Sequence, residues 1–162
     1  MVSSKQKGFT LLEILISLTI FATLLGFATV SFLNTRQTSS INSSLEKIVS
    51  DIKSQQLKAM AGSSDGGESG SSYGIYFAVS SYTLFRGSSY NPSDSTNLTI
   101  DLNENINMTS ILLPSNSVVF SQQSGEILGF DSNNNSITLK NISANEQKTI
   151  TINRYGATSL SP

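Results

Sequence analysis

From Phe9 to Leu33 the chain runs through one apolar stretch whose only charge is Glu13. Its uncharged part, Ile14 to Leu33, has the length of about 20 residues that a helix rising 1.5 Å per residue needs to cross about 30 Å of hydrocarbon. A helix apolar on every side has no face to offer water, so the segment is expected to span a membrane. Lys5 and Lys7 precede it and only Arg36 follows closely. That asymmetry predicts a single pass with the N-terminus in the cytoplasm and everything after residue 34 outside.

No proline occurs between residues 9 and 61. Beyond Ser39 the pattern becomes one-sided: Ile41, Leu45, Ile48, Ile52, Gln55 and Ala59 recur at alternating spacings of four and three. Val49, Leu57 and Met60 widen the stripe, while Glu46, Lys47, Asp51, Lys53 and Lys58 lie mostly off it. The spacing predicts one continuous helix over about 9–61, roughly 75 Å long at 1.5 Å per residue. Its first half, 9–33, is the transmembrane part; its second half, 34–61, is amphipathic and covers a sheet in its own domain.

"AGSSDGGESGSS", residues 61–72, breaks the helix, and 62–72 reads as a flexible Gly/Ser loop. From residue 73 the period falls to two. "SYGIYFAV" and "YTLFRG" read as a tight hairpin turning at Ser80 and Ser81, and "NLTIDL", "INMTSILL", "SVVFS", "GEILGF", "SITLK", "KTITIN" and "GATSL" follow at short intervals. The expected class is α+β: a long N-terminal helix packed by its second half on an antiparallel sheet or sandwich, with 73–162 as a β-rich head.

The residue inventory narrows the chemistry. The formal charge is −1, and there is neither Cys nor His. Thiolate and imidazole metal sites, disulfides and histidine general bases are therefore impossible. No basic cluster exists to neutralise phosphates, so nucleic acid is not an expected partner. The acids of the head fall in loops or at strand ends, where solubility explains them. No catalytic residue, metal site or cofactor is assigned, and the chain is not expected to be an enzyme. "DSNNNS", Asp131 to Ser136, has the phase of a calcium loop, but Ser136 stands where the glycine belongs and Ile142 where the closing glutamate belongs. An Asn-rich hairpin turn accounts for it better. Tyr73, Tyr76, Phe77, Tyr82 and Phe85 are expected in the core rather than on a binding face.

Glu13 needs its own explanation. An ionisable group near the centre of a membrane helix costs about 2.5–3.5 kcal/mol on insertion scales, which marks it as functional and in need of a partner. Arg36 is about 35 Å up the helix, and Lys7 lies beyond Gly8. A cut between Gly8 and Phe9 would create the missing cation, the α-amino group of Phe9. Four residues from Glu13, that amine can meet the carboxylate within one chain or on a neighbouring chain offset along a helical stack. A wrong register would leave a buried charge unpaired, so the pair acts as an assembly signal.

The residues that carry this argument, "KGFTLLEILISLTIFATLLG", resemble the N-terminal motif of type IV pilins and type II secretion pseudopilins. The resemblance implies a leader of residues 1–8 cut after Gly8 by a membrane prepilin peptidase, N-methylation of Phe9, and Glu13 as the assembly acid. It also implies a pilin-like fold. Partners would be other pilin or pseudopilin subunits in a helical filament and an inner-membrane assembly platform. The filament would stand in the periplasm or at the cell surface. The β-rich head and the ending "ITINRYGATSL" are most similar to minor pseudopilins of the H type and related minor pilins, which implies a role in protein secretion or, alternatively, in adhesion, motility or DNA uptake. Two other readings compete: a secreted protein cut near "GFA", Gly26 to Ala28, and an uncleaved anchor carrying a β-domain binding module.

Overall fold

A computed structural model describes residues 9–62 and 71–161, and of residues 27–39 the backbone alone. The expected leader, 1–8, and most of the Gly/Ser loop, 63–70, lie outside the described residues. Helix α1 runs Leu11–Ala61, two residues shorter at its start than the unbroken pattern suggests, because Thr10 caps it. The chain divides into two compact units, 1–36 and 37–162.

In the first unit every described side chain from Phe9 to Gly26 is exposed. Among the described residues no helix is long and apolar enough to cross a membrane. The apolar part of α1 whose side chains are described, 11–26, falls short of the about 20 residues that a span requires.

The second unit folds around the stripe read from the spacing. Ile41, Leu45, Ile48, Ile52, Gln55 and Ala59 are all buried, because they return to the same helical face every turn. The stripe is narrower than expected, however. Val49 is half-buried against the core, but Leu57 and Met60 remain 64 % and 47 % exposed.

Among the described residues eight strands form two antiparallel sheets: β1 (Tyr73–Phe77), β2 (Ser81–Arg86), β3 (Leu98–Asp101), β4 (Ile106–Leu112), β5 (Ser117–Phe120), β6 (Ser136–Asn141), β7 (Glu146–Ile152) and β8 (Thr158–Ser161). The first sheet has the order β3-β2-β1-β5 and the second β4-β6-β7-β8. Ile75, Phe77, Tyr82, Val118 and Phe120 from one sheet and Ile106, Met108, Ile137, Leu139, Ile150 and Ile152 from the other join the helical stripe in one core. Thr109 is an extra residue in β4, where the register against β6 shifts between Met108 and Ser110. This bulge resets the alternation, so that Met108 and Ile111, three apart, both pack on the core.

Three sequence expectations change. "GEILGF" is not a strand: Gly125 (φ 65°) and Gly129 (φ 63°) curl it into conformations that side chains disfavour. Ile127 N–H donates to the Arg154 carbonyl (2.9 Å) and Leu128 N–H to that of Val119 (2.8 Å), so the segment ties β5 to the chain leaving β7. The β1–β2 turn is Val79–Ser80, closed by Ala78 N–H to the Ser81 carbonyl (2.9 Å), one residue earlier than expected.

The aromatic residues, finally, divide between two faces. Tyr73, Phe77 and Tyr82 enter the core beneath the helix; Phe85 is buried as expected, 3 % exposed, but it and the half-buried Tyr76 lie on the opposite face of the sheet, as alternation requires. There Tyr90 stacks on Tyr76 with ring centroids 4.2 Å apart and tilts against Phe85 at 5.6 Å. Gly74, paired with Phe85 across the strands, makes room for that ring: a Cβ at 74 would lie 2.5 Å from Phe85 Cζ and 2.8 Å from the Val118 carbonyl oxygen.

Candidate functional site

The first turn of α1 gathers the sequence-singled residues that the structure describes. Phe9 and Thr10 precede the helix. Glu13 N–H donates to the Thr10 hydroxyl (3.3 Å) and to the Thr10 carbonyl (3.1 Å), and Ile14 N–H donates to the same carbonyl (3.2 Å). Thr10 is thus the N-cap and Glu13 the third helical residue. "TLLE" has the spacing of a capping box, of which the threonine half is formed. The signal is a four-residue spacing set inside an apolar run, whose hydrophobicity masks it.

This geometry corrects the cost assigned to Glu13. The carboxylate stands not in the middle of a helix but in its first turn, where unpaired N–H groups and the positive end of the helix dipole favour a negative charge. Glu13 is therefore compatible with the helix by itself, and its side chain is exposed, open to an incoming cation. Phe9, 80 % exposed, directly precedes the cap. Gly8, the other residue of the expected cleavage site, lies outside the described residues.

Above this turn the polar side chains satisfy themselves. Ser17 Oγ donates to the Glu13 carbonyl (2.8 Å), Thr19 Oγ1 to that of Leu15 (2.8 Å), and Thr23 Oγ1 to that of Ile20 (2.8 Å). Hydroxyls closed onto their own helix leave its surface effectively apolar. The carboxylate of Glu13 is the one charge among the described residues of this segment.

The head offers no competing chemistry at the places singled out. Asp131 accepts Asn133 N–H at Oδ1 (2.9 Å) and Asn134 Nδ2 at Oδ2 (2.6 Å). The Asn133 N–H, and then the Asn134 amide, hold this carboxyl below its ordinary range. The carboxylate is committed to its own turn. Among the described residues no group of three acids could hold a metal ion.

Other contacts, unforeseen from sequence, lock α1 to the sheets. Tyr82 Oη donates to Asp51 Oδ2 (2.6 Å). Burial, then the hydrogen bond to Asp51, then the charge of Asp51 push the phenol above its ordinary value. Gln56 Nε2 donates to the carbonyls of Gly125 (2.9 Å) and Tyr155 (2.8 Å).

Residues 3–29 match the family model described as the prokaryotic N-terminal methylation motif. The matched span takes in Gly8, Phe9, Thr10 and Glu13. The match supports the expected pilin- or pseudopilin-type N-terminus and extends no further along the chain. Comparisons with curated proteins and with solved structures return no match.

Proposed function

We propose that the chain is a structural subunit, not an enzyme, of a filament assembled from the membrane: a minor pseudopilin of a type II secretion system. The observation that carries this reading is the methylation motif over residues 3–29, with Glu13 in the first helical turn just after the proposed cut.

Prepilin peptidase cuts between Gly8 and Phe9 and methylates the new amine, which stays a cation at neutral pH. Before assembly, 9–33 lies in the inner membrane and the head stands outside it. The amine of one copy then neutralises Glu13 of another at the assembly platform, and the exposed apolar faces of 9–26 leave lipid for the filament core. Only the aligned register pairs both charges, so electrostatics sets the axial offset while apolar contact supplies adhesion. Membership of a type IV minor pilin filament, for adhesion, motility or DNA uptake, uses the same residues in the same roles.

Intact mass and N-terminal sequencing of the protein from its own membranes test the reading. A start at N-methyl-Phe9 is expected. A start at Thr29 would make it a secreted β-domain and a start at Met1 an uncleaved anchor, and either would overturn the filament.

A further inference from the structure

Each sheet has one closed edge and one open edge. The outer side of β5 is taken up by the segment that follows it, where Leu128 N–H donates to the Val119 carbonyl (2.8 Å). That of β4 is taken up by the β1–β2 turn, where Met108 N–H donates to the Val79 carbonyl (2.8 Å). The remaining two edges differ. β3 pairs only with β2 and β8 only with β7, and among the described residues no backbone group bonds to their outer sides. Such an edge offers a row of unpaired N–H and C=O groups to any extended chain, and charges, prolines or bulges usually defend it. β8, "TSLS", contains none of these, and β3, "LTID", only its terminal Asp101. Each also carries an uncovered leucine, Leu98 at 58 % and Leu160 at 56 % exposure.

We propose that β3 of one copy pairs antiparallel with β8 of a second copy, joining two heads through one continuous sheet. The side-chain phases agree. Leu98 lies opposite Leu84 and Leu160 opposite Ile150, and both of those pack on the core. The two leucines therefore stand on the core-facing side of their strands and meet across the junction. With Leu98 opposite Leu160, Thr99 falls opposite Ser159 and Ile100 opposite Thr158. The charges agree as well: continued past the strands, this register brings the exposed Glu104 toward Arg154. Arg154 holds Glu126 through Nε (3.3 Å) and Nη2 (3.2 Å), which leaves Nη1 to a second carboxylate. No acid occurs from residue 153 to 161 to repel Asp101. Both complementary edges belong to this chain, which makes a second copy the occupant. A contact between unlike edges is heterologous and leaves each head one edge for the next, so it builds a row of heads. The inference is independent of the charge pairing at Glu13.

Hydrogen exchange of the full chain in detergent micelles, read by mass on its peptides, tests this. Raising the protein concentration should slow exchange in 98–101 and 158–161 together, by at least about tenfold for the outward amides, and leave 73–77 unchanged. The Glu13→Ala chain should show the same slowing. Leu98→Lys and Leu160→Lys should each abolish it in both segments. Mixing the two variants should restore it only in the unmutated segment of each chain, because one intact β3 then meets one intact β8. Leu160→Gln tests the same edge should Leu160→Lys not fold. Exchange independent of concentration overturns the proposal. So does slowing that persists in 158–161 of Leu98→Lys, which would mean that like edges pair, or slowing lost in Glu13→Ala, which would trace it to the helix.

Discussion

The two halves of α1 have the same backbone and opposite surroundings. Along 11–26 every side chain is exposed, Leu11 at 83 % and Leu18 at 63 %. Along 40–61 one face is buried without residue, Ile41, Ile48 and Ile52 at 0 %. The second half has its apolar partner within the chain, in two sheets. The first half has none among the described residues, and exposed apolar surface on that scale marks a place where something else must cover it. One helix therefore carries two kinds of information: a stripe that stabilises a domain, and an all-round apolar surface with no partner among the described residues.

If that division is right, substitutions in the two halves should fail in different assays. Glu13→Ala should have the largest effect on assembly: leader cleavage stays intact, incorporation into filaments falls by more than about a hundredfold, and denaturation of the head is unchanged. Shearing filaments from cells and quantifying the subunit reads this directly, and wild-type assembly would sink the charge-pairing account. Next, Ile48→Ala or Ile52→Ala should cost the head about 2–5 kcal/mol in urea denaturation. Leu18→Ala should stay within about 0.5 kcal/mol in detergent; a head weakened by Leu18→Ala would break the comparison.

Gly74→Ala sharpens it on the far face of the sheet. The new methyl meets Phe85 Cζ and the Val118 carbonyl, so a loss of about 1–3 kcal/mol is expected, together with a changed near-ultraviolet dichroism as Phe85 moves against Tyr90. Among the substitutions expected to weaken the head, the smallest loss belongs to Tyr82→Phe, about 1 kcal/mol at neutral pH from the lost bond to Asp51. Its signature is the pH profile. Because folding raises the Tyr82 pKa, the folded state holds the phenolic proton more tightly, so this contribution is complete below the unfolded phenol's pKa of about 10 and declines as pH rises above it. The alkaline loss of stability should be smaller in Tyr82→Phe, and an unchanged alkaline profile would contradict the role given to the Asp51 contact.

Much of the head was legible because burial obeys short periods. The six stripe residues from Ile41 to Ala59 follow from helical geometry, and the strand runs follow from alternation between turn residues. Where local pattern and tertiary context part, periodicity alone misassigns the segment. "GEILGF" has strand composition, but two glycines at positive φ and hydrogen bonds to Val119 and Arg154 make it a tie between sheets. Tyr76 and Phe85 are aromatic like Phe77, and only the phase of the strands, fixed by the core, says which of them face inward. At the N-terminus the "TLLE" spacing already contained the cap, and the helix start at Leu11 turned Glu13 from a buried liability into a first-turn acid.

The sequence by itself determined that a long apolar helix precedes a β-rich head, that one carboxylate follows the Gly8–Phe9 junction, and that no histidine or cysteine chemistry is available. These are properties of composition and spacing, which act between neighbours along the chain. Only the tertiary structure decided that the strands part into two sheets around one helical stripe, that Tyr82 reaches Asp51, and that Gln55 keeps an unpaired carbonyl beside a cavity. Each of these joins residues tens of positions apart, and their meeting depends on how every intervening side chain packs.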